Sequence, residues 1–128
     1  MEKFHLLNGS NLAFIGDAYY ELRVRLYLIS QGITKDKELK TASIKYVSAN
    51  AHFEIYERIK ETFTEEEHKI FLRGRNSAPN NHRKNLDRAK YVISSGLEAV
   101  IGYLYLKGDL ERLDYIFSLI FEKEEGKC

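Results

Sequence analysis

Apolar residues along the chain recur at steps of three and four, the spacing of one face of a helix, and nowhere alternate as in a half-buried strand. The first such run predicts a long helix that is capped by Asn8 or Ser10 and ends near Gln31, with Gly32 just beyond its end. We expect the core-facing side of this helix to comprise Leu12, Ile15, Tyr19, Leu22, Leu26 and Ile29.

The middle of the chain continues the helical pattern. An imperfect apolar stripe over residues 34–62 predicts either one helix or two, and the spacing leaves both open. Thr64 and Glu67 then stand at the separation of a capping box. The short helix that they begin is expected to stop at Gly74.

The most apolar helix is predicted over about 86–107, and a last helix follows from the cap Asp109. The charged tail 122–128 is expected to fray. With no strand alternation, hairpin signal or internal repeat, the predicted class is all-α. The 128 residues fit a single domain, 1–128, that is long enough to bury a core.

The composition is that of a soluble globular protein, with 44% apolar and 30% charged residues. The single cysteine is the last residue, Cys128, which excludes an intramolecular disulfide and a cysteine-based zinc site within one chain. No apolar run has the length of a membrane span or of a signal-peptide core. The sequence therefore predicts a cytoplasmic protein without a membrane partner.

Positive charge is concentrated in residues 73–90, where six Lys and Arg residues accompany a lone Asp87. The whole chain has a formal net charge of only +1, so the remainder is acidic. The same segment contains the longest predicted loop, residues 76–85, with the sole proline of the chain. A basic loop on an acidic body indicates a polyanionic partner that binds at one place.

Two acids interrupt the apolar helical stretches. Asp17 and Glu98 each have no Lys or Arg one turn away on their own helix, and small residues flank both. Two long helices could therefore approach closely with the acids facing each other. Two carboxylates at such a distance cannot both stay ionised without a cation, and ligands that are all oxygen favour a hard ion such as Mg²⁺ or Mn²⁺.

The residues around both acids resemble a known family. The stretch L-A-F-I-G-D-A-Y-Y-E-L at 12–22 is similar to the signature motif of the ribonuclease III family, and S-G-L-E-A-V-I-G-Y-L-Y-L at 95–106 is similar to its second acidic motif. The order and separation of the motifs also match, so the resemblance covers nearly the whole chain. The stretch F-L-R-G-R-N at 71–76, and a catalytic domain with no double-stranded-RNA-binding domain after it, resemble the Mini-III branch.

The resemblance implies a homodimeric, metal-dependent endoribonuclease that cuts double-stranded RNA. Water would attack the phosphodiester and leave 5′-phosphate and 3′-hydroxyl ends. Asp17 and Glu98 would be the catalytic and metal-binding residues, with Mg²⁺ as the cofactor and Mn²⁺ as a substitute. Phe14 would insert into the partner subunit. The Mini-III branch further implies maturation of a ribosomal RNA precursor, that of the large subunit.

An A-form RNA duplex is recognised by its shape, phosphates and 2′-hydroxyls rather than by its base edges. The basic segment supplies candidates for these contacts, and the alternative for the same residues is a plain solvated loop. The candidate RNA-binding residues are Arg73, Arg75, Asn76, Arg83 and Lys84.

The chain also departs from the motifs of the family. Ser10, Ala13 and Ser95 stand where the family has acids. Asp36 and Glu38 lie near a further acidic position of the family, and the sequence leaves their role and the number of metals open. The missing acids motivate a second hypothesis, a non-catalytic dimer that binds double-stranded RNA.

A third hypothesis is a helical protein–protein adaptor. In it, Asp17 and Glu98 are structural acids that pair with arginine side chains, for which Arg23 and Arg25 are the candidates. Such an adaptor would have neither affinity for RNA nor a response to metal ions.

Overall fold

The helix Arg88–Lys107 contains the most deeply buried stretch among the residues that the structure describes, and Leu97, Val100 and Ile101 within it are inaccessible to solvent. The computed structural model describes residues 3–78 and 87–125, and of 123–125 only the backbone. Within these residues the α-helices in chain order are α1 Gly9–Ser30, α2 Asp36–Val47, α3 Ala49–Ile59, α4 Glu65–Asn76, α5 Arg88–Lys107 and α6 Leu110–Glu125. The described residues contain no strand, which confirms the predicted all-α fold.

Helix α5 forms the centre of the packing, since α1, α3, α4 and α6 all lie against it. Its buried face meets apolar side chains of the surrounding helices, such as Leu12 and Val24 of α1 and Ile116 and Phe117 of α6. No described helix is both long and apolar enough to cross a membrane.

The ends of α1 are where the sequence predicts them. Asn8 is the N-cap, and its side-chain oxygen accepts a hydrogen bond from the amide of Asn11 at 2.8 Å. The helix ends at the C-cap Gln31, and Gly32 follows with a φ of +89°, a conformation that glycine adopts without strain.

The region 34–62 forms two helices, α2 and α3, because Ser48 starts a new helix within it. The Ser48 side chain accepts a hydrogen bond from the amide of Ala51 at 3.1 Å. The capping box of α4 is confirmed by two reciprocal bonds of 3.0 Å between Thr64 and Glu67.

The expectation that α4 stops at Gly74 is wrong, because the helix continues to Asn76. A Cβ atom on Gly74 would lie 2.9 Å from the carbonyl oxygen of Ser95 and would also overlap Ala99. This glycine therefore allows close packing of α4 on α5 rather than ending the helix. At the other end of the chain, α6 extends through Glu125, into the tail that was expected to fray, and residues 126–128 lie outside the described residues.

The core-facing side predicted for α1 is wrong along its second half. Leu22, Leu26 and Ile29 are half or more exposed, whereas the buried positions are Gly9, Leu12, Ala13, Gly16, Tyr20, Val24 and Leu28. Helix α1 carries apolar residues on two sides, and spacing alone cannot tell which side meets the core. The other side leaves an apolar stripe at the surface.

A buried ion pair joins α4 to α6. Arg112 donates from Nε and Nη2 to the buried Glu67 carboxylate at 2.7 and 2.8 Å, and from Nη2 to the carbonyl of Thr62 at 2.6 Å. We expect Glu67→Gln to lower the free energy of unfolding by about 2–3 kcal/mol, because the guanidinium loses its charged partner in a buried place. Urea denaturation measures the change.

The neighbouring acid provides the control. Glu66 accepts hydrogen bonds from Tyr103 and Lys107, both at 2.8 Å, and its side chain is 48% exposed. Glu66→Gln is therefore expected to cost less than about 1 kcal/mol, as exposed ion pairs do. Equal losses in the two variants would contradict a special role of the buried pair.

Candidate active site

Helices α1 and α5 touch through their backbones where the two acids lie. A Cβ atom on Gly16 would overlap the carbonyl oxygen of Glu98, and one on Gly102 would overlap the carbonyl oxygen of Leu12. Only glycine fits either position without a shift of the helices. The close approach inferred from the small residues of the sequence is confirmed, and it brings Asp17 beside Glu98.

The two carboxyl groups interact directly. Burial, a hydrogen bond to Asp17 and the charges of Asp17 and Glu21 raise the pKa of Glu98 to about 9. Glu98 is partly buried, whereas Asp17 is exposed despite the apolar residues next to it in sequence. Without a cation, Glu98 therefore keeps its proton at neutral pH while Asp17 faces solvent.

Neither arginine proposed as a structural partner reaches the acid pair. Arg23 forms an ion pair with Asp114 at 3.0 Å and lies over the ring of Phe117 at 4.5 Å. Arg25 pairs with Glu21 at 3.2 Å. The arginine pairing on which the adaptor hypothesis rested is therefore wrong for both candidates.

The acid pair has the donor chemistry of a hard divalent cation. Both ligands are carboxylates, and a cation would replace the proton that Glu98 now retains. The described residues contain no group of three or more potential metal ligands, so Asp36 and Glu38 do not join the pair. Ser95 is buried in α5. Two protein ligands would leave most coordination positions to water and to phosphate oxygens.

The raised pKa predicts how stability depends on pH. Glu98 binds its proton more tightly in the folded than in the unfolded chain, so the metal-free protein should lose stability as the pH rises from about 5 to 9. We expect Mg²⁺ to raise the melting temperature more at pH 8.5 than at pH 5.5. Differential scanning calorimetry in EDTA and in Mg²⁺ measures both effects.

The matched variant for this pH dependence is Glu98→Gln, which retains the size of the side chain and cannot ionise. Its melting temperature in EDTA should fall less between pH 5.5 and 8.5 than that of the wild type. A wild-type melting temperature that rises over this range in EDTA would contradict the assignment.

A polar cluster behind the acids was not predicted from the sequence. His52 of α3 is 1% exposed, its Nδ1 lies 2.6 Å from the Ser94 hydroxyl, and its ring packs edge-on against Tyr20 at 4.5 Å. Ser94 and Tyr20 could have been noticed, because each lies one turn from an acid on the same helix. No local signal in the sequence could have placed His52 there.

The candidate RNA-binding residues have different surroundings. Arg73 donates to the carbonyls of His5 and Leu7, at 3.1 and 3.2 Å, and so holds the N-terminal segment against α4. Arg75 and Asn76 lie exposed in the last turn of α4, where Arg75 Nε donates to Asn76 Oδ1 at 3.4 Å. Arg83 and Lys84 lie outside the described residues.

Phe14, the candidate for the dimer interface, is the most exposed of the large apolar side chains in the described residues, at 78%. It lies on α1, and the exposed Ala18, Leu22, Leu26 and Ile29 follow at steps of three or four. This surface stripe, 14–29, is distinct from the side of α1 that packs on α5.

Comparison with known proteins extends these observations. The ribonuclease III domain model matches residues 10–109. The chain is 42% identical over 124 residues to Mini-ribonuclease 3 of Streptococcus pneumoniae, which covers 95% of this chain and 97% of the relative. It is 41% identical over 117 residues to Mini-ribonuclease 3 of Staphylococcus aureus, and this match covers 90% of this chain and 87% of the relative. The crystal structure of protein FN1578 from Fusobacterium nucleatum superposes with a TM-score of 0.83 at 31% identity, covering 91% of this chain and 90% of the other.

The helical fold, the two acidic motifs and these matches define an endoribonuclease, and the chain belongs to the ribonuclease III family. Its relatives over nearly the whole length are Mini-ribonucleases 3, which confirms the resemblance to the Mini-III branch. The enzyme hypothesis is therefore confirmed over both the non-catalytic binder and the adaptor.

Proposed function

We propose that this endoribonuclease cleaves double-stranded RNA with a divalent cation, Mg²⁺ or Mn²⁺, held by Asp17 and Glu98. The observation that carries the proposal is the hydrogen bond between the carboxyl groups of Asp17 and Glu98, while the nearby Arg23 and Arg25 pair with other acids. Ionisation of both carboxyl groups is unfavourable without a cation and becomes favourable once a cation is bound. The ribonuclease III family supplies the substrate class, double-stranded RNA.

The acids contribute positioning and charge. Glu98 would have to give up its proton for its carboxylate to hold a cation, and the contact of α1 with α5 at Gly16 and Gly102 places this group beside Asp17. Asp17 is exposed and so faces the side from which a phosphodiester can approach. A bound cation would stabilise the negative charge that develops on the phosphate as water attacks it. The products would carry 5′-phosphate and 3′-hydroxyl ends.

Duplex binding would use the end of α4 and the basic segment that follows it. Arg75 and Asn76 are exposed there and can reach phosphates or 2′-hydroxyls. Arg83 and Lys84 are retained as candidates from the sequence, and Arg73 would act mainly by holding the N-terminal segment. Because such contacts release counterions, affinity should fall steeply as salt is added.

The exposed stripe of α1 fits a homodimer, in which a second copy covers the surface that the core leaves open. Contiguous apolar patches of this kind mark interaction sites on soluble proteins.

We expect Phe14→Glu to convert the dimer to a monomer at micromolar concentration, since a buried, unpaired carboxylate opposes association. Sedimentation velocity measures the change. The control Leu110→Glu alters a side chain of α6 that is 53% exposed and should stay dimeric; a dimeric Phe14→Glu variant would contradict the interface.

From the resemblance to the Mini-III branch we infer a narrower substrate, a ribosomal RNA precursor of the large subunit, which would be processed in the cytoplasm. A dimer with one acid pair in each subunit would cut both strands of a duplex region in such a precursor.

The test of the proposed function is incubation of the wild-type protein with a long perfect RNA duplex in Mg²⁺ or in EDTA. Either strand alone and a DNA duplex of the same sequence serve as controls. The proposal is supported if the protein cuts the RNA duplex but none of the controls, and does so only with metal. The ends produced should be ones that RNA ligase rejoins. Equal cutting in EDTA, or of single strands, would overturn it.

A further inference from the structure

His52 links α3 to the two helices that carry the acid pair. It belongs to α3, its Nδ1 shares a 2.6 Å hydrogen bond with the Ser94 hydroxyl of α5, and its ring packs on Tyr20 of α1. The Tyr20 hydroxyl in turn donates to the carbonyl of Tyr46 at 2.7 Å, near the end of α2. A buried ring thus contacts both helices that carry the acids.

The register of these contacts matters. Tyr20 follows Asp17 by three residues on α1, and Ser94 precedes Glu98 by four on α5. Each is therefore one turn from an acid, on the same side of its helix. The fields of the acids reach this cluster, since Asp17 acts on the pKa of His52 and Glu98 on that of Tyr20.

The ring remains neutral and partly unsatisfied. Burial lowers the pKa of His52 to about 4, against the opposing effect of Asp17, so the imidazole does not balance the charge of the acids. Its Nε2 has no hydrogen-bond partner within the described part of the chain. A buried nitrogen without a partner is unfavourable, and an apolar side chain would avoid that penalty while filling the same space. The bond between Nδ1 and Ser94 is the interaction that an apolar residue could not make.

We propose that His52 is a positioning residue, which through Ser94 fixes the turn of α5 that carries Glu98 against the turn of α1 that carries Asp17. The inference rests on the proposed function of that acid pair. His52 does not touch the substrate or the cation. Its contribution is the fixed separation of the two carboxylates, on which their joint affinity for a divalent cation depends.

The variants follow from the geometry of the ring. In His52→Asn, the side-chain amide is separated from Cβ by the same number of bonds as Nδ1 of the histidine. In His52→Gln, the amide is separated from Cβ by the same number of bonds as Nε2. His52→Ala removes both nitrogens, and Ser94→Ala removes only the hydroxyl that His52 bonds. Ile59→Ala is the matched control, because Ile59 is buried on the same helix two turns away.

The measurements are Mn²⁺ affinity without RNA, by electron paramagnetic resonance, together with kcat and KM on the duplex and the melting temperature. We expect His52→Ala and Ser94→Ala to weaken Mn²⁺ binding by about 10-fold or more and to lower kcat, with KM nearly unchanged. His52→Asn should recover much of the affinity and His52→Gln little. Ile59→Ala should lower the melting temperature without changing Mn²⁺ affinity.

Wild-type Mn²⁺ affinity in a folded Ser94→Ala variant would overturn the proposal, and so would an equal loss of affinity in Ile59→Ala. Because Ser94→Ala removes a single atom group, it decides the question even where His52→Ala does not fold. Asp17→Asn and Glu98→Gln are measured in parallel. Cleavage that survives in these two variants would overturn the proposed function itself, whereas a normal Ser94→Ala beside two inactive acid variants refutes only the role of His52.

Discussion

Asp17→Asn and Glu98→Gln are each expected to slow cleavage of a perfect RNA duplex by about 1000-fold, equivalent to about 4 kcal/mol of transition-state stabilisation. Each substitution retains the size of the side chain and removes one of two carboxylates that the structure places in contact. A cation held by one remaining carboxylate would lose both affinity and position. Single-turnover cleavage at saturating enzyme measures the loss in the chemical step.

Two controls separate catalysis from binding and folding. Filter binding of the duplex should be retained in both variants, because neither acid attracts phosphate. Glu21→Gln alters an acid one turn from Asp17 that is paired with Arg25, and should cleave within about threefold of the wild type, since exposed ion pairs contribute little. A comparable loss in Glu21→Gln would mean that net charge, rather than the Asp17–Glu98 pair, sets the rate.

Gly16→Ala is expected to lower the free energy of unfolding by about 3 kcal/mol or more, an effect at the upper end for overpacked sites. In an exposed helix the same substitution would stabilise by roughly 1 kcal/mol, because alanine is the better helix former. Here the added methyl group would overlap the carbonyl oxygen of Glu98, part of a helix backbone that cannot turn aside. The steric overlap at the α1–α5 contact therefore makes Gly16→Ala destabilising, although helix propensity alone predicts that it is stabilising.

The measurement is urea denaturation of Gly16→Ala beside Ser118→Ala, an exposed position inside α6 and outside the surface stripe 14–29. Ser118→Ala should change the free energy of unfolding by less than about 0.7 kcal/mol, the range of ordinary helix propensities. If Gly16→Ala folds, its Mn²⁺ affinity should also fall, because α1 must move away from α5. A Gly16→Ala variant as stable as the wild type would contradict the close backbone contact of α1 with α5.

Local signals in the sequence predicted much of the fold because they act within a few residues. Asn8, Gly32 and Thr64 cap or end helices through bonds and dihedral angles of their own segments, and the structure has each of them in that role. Features that depend on other helices were less predictable. Gly74 reads in sequence as a helix end, yet it lies inside α4 because α5 passes close to it.

The candidate site shows the same division. The contact of Asp17 with Glu98 could be predicted, since each acid lacked a local partner and lay among small residues. The exposure of Asp17 could not, because it depends on which side of α1 meets the core. His52 lies behind the acids only through the placement of α3, for which no short-range pattern in the sequence exists.

The most direct test of whether Asp17 and Glu98 together hold the catalytic cation is a Mn²⁺ titration of the wild type and both acid variants by electron paramagnetic resonance. We expect one saturable class of site in the wild type, formed by the acid pair, and its loss in both Asp17→Asn and Glu98→Gln. Unchanged Mn²⁺ binding in either folded variant would contradict this assignment, because the cation would then be held elsewhere.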